Sequence, residues 1–266
     1  MAVKDSLGDR MKENYENRYR FFLTRRTPVI IRIDGKAFHT FTRKFKRPFD
    51  YVMTASMQDT ALYLCGNVMG CRLAYTQSDE ISLLLTDYRK LTSQAWFDNN
   101  LQKIASVSAS MATMAFNNAF GKNAEACRYF SNGQFADYLT DVTFYREQIG
   151  NAMFDARAFN IPESEVCNYF IWRQQDATRN SIESAGHAYF STKELHKKNC
   201  QEIQEKLFGE KGIQWNHYPT MFKRGSAVRP VRDGDTAITG NWVVDNEIPL
   251  FTQDRDYIEQ ELVREE

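Results

Sequence analysis

The sequence predicts an α+β fold built on a ferredoxin-like sheet, with strands and helices in the order β-α-β-β-α-β and a helical and mixed region after them. Short apolar runs of strand length occur at Val29–Ile33, Cys71–Thr76 and Ile81–Thr86, with a fourth, Phe154–Phe159, alternating large and small residues. Two stretches with helical spacing, Tyr51–Cys65 and residues 93–117, separate them in that order. The two middle strands are joined only by Gln77-Ser78-Asp79-Glu80, a connection of hairpin length.

Along the chain, Val29-Ile30-Ile31-Arg32-Ile33 ends in Asp34-Gly35, a strand running into a turn. A dense basic stretch follows, Phe41-Thr42-Arg43-Lys44-Phe45-Lys46-Arg47-Pro48-Phe49, in which aromatic side chains between the cations offer stacking surfaces for bases or ribose. Asp50 is an N-cap for the first helix, which places Val52, Ala55, Leu62 and Cys65 near one face and stops at Gly66. The hairpin carries Asp79-Glu80 at its turn. The second helix, 93–117, is rich in small residues (Ala105, Ser106, Ser108, Ala109, Ser110, Ala112) that allow close packing within or between subunits. Residues 121–150 lack periodicity and read as a loop with at most a short helix. After the fourth strand and Pro162, helices are expected at Ser164–Arg173, with Trp172 in the core, and at Thr192–Phe208. Residues 225–266 mix Pro, Gly and short strand-like pieces such as Trp242-Val243-Val244. Residues 1–162 thus read as a catalytic body with a basic N-terminal segment, and 163–266 as an accessory region.

Composition narrows the function. The 266 residues hold 34 Lys+Arg and 34 Asp+Glu, yet residues 1–50 carry 13 basic against 6 acidic side chains and residues 245–266 carry 2 against 8. The N-terminal part is therefore suited to face a polyanion. No stretch reaches the roughly 18 apolar residues of a membrane span, and the first ten residues lack a signal-peptide core, so a cytoplasmic protein is expected. Five scattered cysteines without a Cys-x-x-Cys pair argue against a disulfide framework and a zinc site. The four histidines show no His-x-x-x-His spacing, so a catalytic metal here is expected to be oxygen-bound.

Asp34-Gly35 and Ser78-Asp79-Glu80 supply that oxygen set, because carboxylates on adjacent strand ends can hold divalent ions beside a triphosphate, the main requirement of phosphoryl and nucleotidyl transfer. Each element alone reads as an ordinary turn. Their order in one small sheet is what points to chemistry.

Beyond these residues the chain resembles the tRNA-histidine guanylyltransferase-like family, enzymes that extend RNA in the 3′-to-5′ direction. The resemblance rests on Arg32-Ile33-Asp34-Gly35-Lys36-Ala37-Phe38-His39, Arg47-Pro48-Phe49-Asp50, Gln77-Ser78-Asp79-Glu80, Phe154-Asp155-Ala156-Arg157, Trp172-Arg173-Gln174-Gln175-Asp176, Lys198-Asn199 and Phe222-Lys223-Arg224-Gly225-Ser226. It implies a polymerase-type palm, two Mg²⁺ held by Asp34, the Gly35 carbonyl and Asp79, and support from Glu80. It also implies ATP and GTP or another NTP as substrates, tRNA as partner and a homotetramer. The main chain from Lys36 through Ala37 and Phe38 to His39 would cradle the triphosphate. Lys36, Lys44, Arg47 and Lys198 are candidate phosphate contacts, and Asp50 and Asn199 fall within the same nucleotide-binding motifs. Arg173, Gln174 and Asp176 are candidate nucleotide or RNA contacts.

One departure selects a branch. Family members that add guanylate to histidine tRNA carry His-Ile-Asn-Asn where this chain reads Thr178-Arg179-Asn180-Ser181, so only Asn180 is retained. The resemblance therefore implies template-dependent repair of 5′-truncated tRNA, with guanylate addition to histidine tRNA as the alternative. A palm-fold nucleotide cyclase and an inactive tRNA-binding palm are the further alternatives; the first is disfavoured because Gln77-Ser78 stands where diguanylate cyclases have a double-glycine turn.

Overall fold

A computed structural model of the chain describes residues 6–130, 133, 135–233 and 236–262. At its centre lies an antiparallel sheet of β1 (Val29–Gly35), β2 (Cys71–Gln77), β3 (Glu80–Leu85), β4 (Phe154–Asn160), β5 (Ser226–Asp233) and β6 (Thr236–Asp245). Its spatial order is β4-β1-β3-β2-β5-β6. The first four strands reproduce the ferredoxin-like topology expected from the sequence. β1 pairs with both β3 and β4, so Asp34 stands opposite Glu80 on one side and Asp155 on the other.

The last two strands were not expected as a pair. β5 contains Arg229, Pro230 and Arg232, a poor strand composition by itself. It is held by pairing Val228, Ala227 and Ser226 with Ala74, Tyr75 and Thr76 of β2. The region after Pro162 thus adds strands to the same sheet.

Four helices matter for the site: α1 (Tyr51–Asn67), α2 (Leu101–Phe130), α3 (Glu163–Tyr189) and α4 (Cys200–Lys211). α1 starts where expected, with Asp50 Oδ1 accepting from the Met53 amide at 3.0 Å. α2 is displaced from the expected 93–117. Phe97, Asp98 and Asn99 take left-handed backbone conformations before it, and it continues to Phe130, so the 121–150 stretch opens as helix. Within that stretch Val142–Arg146 forms a further short helix. α3 runs on past Arg173 to Tyr189, because its polar residues Arg173, Gln174 and Ser181 are buried by tertiary partners. The expected helix 192–208 is two pieces, Thr192–Leu195 and α4, separated at Lys197 with φ 63° and restarted by Asn199.

Alternation along β1 sends Ile31 and Ile33 to one face and Ile30, Arg32 and Asp34 to the other. The first face packs on α1 and α2 through Met57, Leu64, Phe116 and Phe120. The second packs on α3 through Val166, Tyr169 and Phe170 and on the C-terminal segment through Phe251, Tyr257 and Ile258. Phe41 and Phe45, expected as stacking surfaces between the cations, are instead buried in the first core against Phe120 at 5.3 and 5.7 Å. Their spacing of four places both on the inner side while the cations point out.

The acidic end is docked as far as Glu261, whose carboxylate accepts from Arg232 at 2.7 Å; residues 263–266 lie outside the described set. Among the described residues no helix is long and apolar enough to cross a membrane. None of the five cysteines is in a disulfide.

Candidate active site

β1 and the β2–β3 hairpin end side by side, and this adjacency builds the site. The hairpin turn is Ser78-Asp79, with Ser78 held at φ 51°, a strained conformation for a residue with a Cβ. The Gly35 amide donates to the Asp79 carbonyl at 3.0 Å, tying the end of β1 to the turn. A Cβ on Gly35 would lie 2.3 Å from the Phe38 ring, so the tight reversal after Asp34 requires glycine. Ala37, at φ 56°, then opens the one-turn helix Phe38–Phe41, whose first amides have no intrahelical acceptor.

Asp79 senses the charge of Asp34. Burial pushes the Asp79 carboxyl above its ordinary value, and the nearby Asp34 charge adds to the rise against a 3.0 Å hydrogen bond from the Ser78 hydroxyl. Glu80 is also raised by burial, opposed mainly by Arg173, whose Nε donates to Glu80 Oε1 at 2.8 Å. Arg173 Nη2 donates to Asp176 Oδ2 at 2.8 Å, and Asp176 pairs in turn with Arg179. Glu80 is thus a buried strut between β3 and α3, while Asp34 and Asp79 are free of ion pairs with cations among the described residues.

That donor set fits a hard divalent cation. No three His, Cys, Asp or Glu side chains converge as a ready cage among the described residues, but Mg²⁺ is commonly held by one or two carboxylates completed by substrate phosphates and water. Two mutually repelling carboxylates, one of them desolvated, are stabilised by such an ion.

Beside them opens a cleft of about 500 Å³. Of the residues singled out in the sequence, Gly35, Ala37, Phe38, His39, Arg47, Asp50 and Asp79 line it. Asp34 adjoins it through Gly35 and the Asp79 tie. Others are engaged elsewhere. Lys44 Nζ donates to Glu147 at 2.8 Å and sits 4.8 Å from the Phe144 ring, on the surface. Asn199 caps α4 through the amides of Gln201 and Glu202. Lys36 and Lys198 are exposed and lie outside the cleft lining. Asp50 lines the cleft, but its carboxylate accepts from Met53 N, Lys46 N, Thr140 Oγ1 and Tyr145 Oη, which fills it with protein donors and fixes the basic loop.

The opposite wall comes from far along the chain. Ala177, Asn180, Ser181 and Ser184 of α3, with Met221, Phe222, Gly225 and Ser226, complete the cleft. Phe222 stacks on Phe49 at 5.1 Å and 6°. Gly225 has φ +87°, and a Cβ there would meet the Thr76 carbonyl at 2.5 Å. Met53, Met57, Ser184 and Met221 carry no local signal that marks them as lining residues, since only the fold brings them together. Two motif residues also exchange their expected places. Trp172 is 51% exposed, while Arg173 and Gln174 are buried, Gln174 bridging Pro249 O and the Phe251 amide.

This geometry has known counterparts. The structure of a bacterial tRNA(His) guanylyltransferase (Thg1)-like protein in complex with ATP is 44% identical, with TM-score 0.81, over 98% of this chain and 100% of that one. The structure of a bacterial tRNA(His) guanylyltransferase (Thg1)-like protein in complex with GTP matches at 43% identity and TM-score 0.76, over 97% of this chain and 99% of that one. The tRNA(His) guanylyltransferase of Saccharomyces cerevisiae is 28% identical over 221 residues, covering 75% of this chain and 81% of that protein. A model of the family described as Thg1, tRNAHis guanylyltransferase, matches residues 8–162, the stretch that carries both aspartates and every palm strand from β1 to β4. With more than half of its length in that match, the chain belongs to the Thg1 family of tRNA guanylyltransferases and is a nucleotidyltransferase.

Proposed function

We propose that this enzyme repairs 5′-truncated tRNA by template-dependent 3′-to-5′ nucleotide addition. The observation that carries this reading is the placement of Thr178-Arg179-Asn180-Ser181 on α3. Ser181, one of the replaced positions, lines the same cleft as Gly35 and Asp79 beside the retained Asn180, which supports a changed choice of incoming nucleotide. The ATP and GTP complexes of the similar bacterial proteins support a triphosphate as occupant.

In the first step an oxygen of the RNA 5′-monophosphate attacks the α-phosphorus of ATP, releasing pyrophosphate and leaving a 5′-adenylylated end. In the second, the 3′-hydroxyl of an incoming NTP attacks that 5′-phosphate and AMP departs. Asp34, the Gly35 carbonyl and Asp79 would hold the two Mg²⁺, which when bound activate the attacking oxygen and neutralise charge on the leaving group. The Lys36 amide is taken by the Met153 carbonyl, so of the expected Lys36–His39 cradle the main chain of Ala37 to His39 would receive the triphosphate, and Lys46 and Arg47 would bring cations to it. Asn180, Ser181 and Ser184 offer hydrogen bonds to the nucleotide's sugar or base. Pairing with the opposing acceptor-stem base chooses the nucleotide, so the protein reads RNA shape and ends. A cytoplasmic homotetramer is part of the same proposal.

The test is a labelled, 5′-monophosphorylated tRNA lacking its first nucleotide, incubated with protein, Mg²⁺, ATP and each NTP in turn. Restoration of full length only by the complementary nucleotide is the expected result. Addition of guanylate whatever the opposing base would assign the enzyme instead to guanylate addition on histidine tRNA, the activity for which its family is named.

A further inference from the structure

Trp172 stands on α3 immediately before Arg173, the residue that ties the helix to Glu80. A tryptophan on a helix that packs on a sheet is expected to bury its ring, yet this residue is 51% exposed. Two guanidinium groups flank it: Arg173 Cζ lies 4.4 Å from the ring centroid and Arg32 Cζ 5.9 Å. Tyr169 supports it edge-on at 5.9 Å. The Arg173 guanidinium lies over the ring, and the 51% exposure of Trp172 leaves further ring surface open.

Its surroundings carry the chemistry of a nucleic-acid end. Arg32 lies on the α3 face of β1, two residues before Asp34, about 7 Å along the strand. Its Nε is buried without a hydrogen-bond partner. Directly across the sheet from Arg32 is Arg157 of β4, and like charges so placed repel unless an anion bridges them. Arg157 is half exposed and makes only a 3.3 Å contact with the equally exposed Asp155, a weak pair. Of the carboxylates nearby, Glu80 and Asp176 are held by Arg173, and Asp176 also by Arg179, while Asp34, two residues along β1, is reserved for the proposed metal site. An exposed, braced indole beside two under-partnered arginines, on the strand that bears Asp34, is complementary to a base and its phosphate.

We propose that Trp172 is the stacking platform for the terminal base of the RNA acceptor stem, with Arg32 and Arg157 receiving the adjoining phosphate. This rests on the tRNA reading above and places the RNA end on the α3 face of the sheet, while the nucleoside triphosphate occupies the cleft at the strand ends. Trp172 is a positioning residue and touches no reacting atom.

The experiment uses full-length protein and 5′-monophosphorylated tRNA lacking its first nucleotide, with 2-aminopurine as the terminal base. Trp172→Ala is expected to weaken RNA binding by about 10- to 100-fold and to abolish quenching of the 2-aminopurine, while ATP affinity is unchanged. Trp172→Phe keeps a stacking surface and restores most of the binding. Arg157→Ala lowers RNA affinity less and reduces its salt dependence by about one counterion. Wild-type RNA affinity and quenching in the alanine variant would overturn the platform. So would parallel loss of ATP and RNA binding, the mark of a structural residue, or altered subunit assembly at unchanged RNA affinity, the mark of a second copy as the true occupant. If wild-type protein extends this RNA and Trp172→Ala does so equally well, the platform fails alone; if wild-type protein neither binds nor extends it, the tRNA reading fails as well.

Discussion

The two faces of the sheet are made from the same strands and do opposite things. On the α1–α2 face, Ile31 and Ile33 meet Phe38, Phe41, Phe116 and Phe154, with ring centroids about 5 to 6 Å apart, in an apolar core that Asp50 borders through Tyr145. On the α3 face the intervening residues are Arg32 and Asp34, joined by Glu80, Ser82, Tyr169 and Arg173, with Ser82 Oγ and Tyr169 Oη sharing a 2.7 Å hydrogen bond. The apolar face gives the strands a rigid backing. On the polar face Glu80 and Asp176 are tied to Arg173, whereas Asp34 and Asp79 at the strand ends have no ion pair with a cation among the described residues. Rigidity and reactivity are separated by a period of two residues.

Substitutions on either face test that separation. The largest effect is expected at the strand ends: Asp34→Asn or Asp79→Asn should lower kcat/KM for nucleotide addition by about 10³-fold or more, with an unchanged thermal midpoint. An unimpaired variant would remove the proposed metal site. On the apolar face, Phe116→Ala should cost about 4 kcal/mol in urea unfolding while the surviving folded fraction keeps its activity per molecule. Loss of activity without loss of stability would contradict the purely supporting role of that face. Arg173→Met crosses the two roles, since it strands Glu80 as a buried unpaired carboxylate; about 3 kcal/mol of stability should be lost, and activity with it.

The smallest effect concerns Asp50, whose carboxyl is raised mainly by burial despite its four donors. A carboxyl raised in the folded state takes up its proton more readily there than in the unfolded chain. Its contribution is therefore most favourable below the ordinary carboxylate range and declines as pH climbs through the raised folded value. The stability difference between wild type and Asp50→Asn should shrink from pH 4 towards neutrality; a constant difference would mean that Asp50 does not titrate in this interval.

Much of the polar strand end was legible in the sequence because its signals are local. The β1 run, the hairpin and the Asp50 cap are each specified by residues within a few positions of one another. On the opposite wall of the cleft, Asn180 and Ser226 were marked only by the resemblance, and Ser184 and Met221 not at all, because they reach the cleft through tertiary packing with no sequence period. β5 was hidden for the same reason: its place is fixed by Ala74, Tyr75 and Thr76, some 150 positions earlier. Trp172 and Arg173 were read in exchanged positions because hydrophobicity ordinarily decides which of two neighbours is buried, whereas here the partner does. Glu80 beneath the helix draws the arginine in, and the tryptophan is left at the surface.

The 3.0 Å bond from the Gly35 amide to the Asp79 carbonyl has a mechanical meaning. It joins the mounts of the two aspartates into a single plate, so movements of α3 or the Met221–Ser226 segment alter what the cleft admits without altering the spacing of those mounts. The selecting wall can then be retuned, residue by residue, while the reaction centre keeps its alignment. A chain built this way can change which RNA end or nucleotide it accepts at little cost to its chemistry.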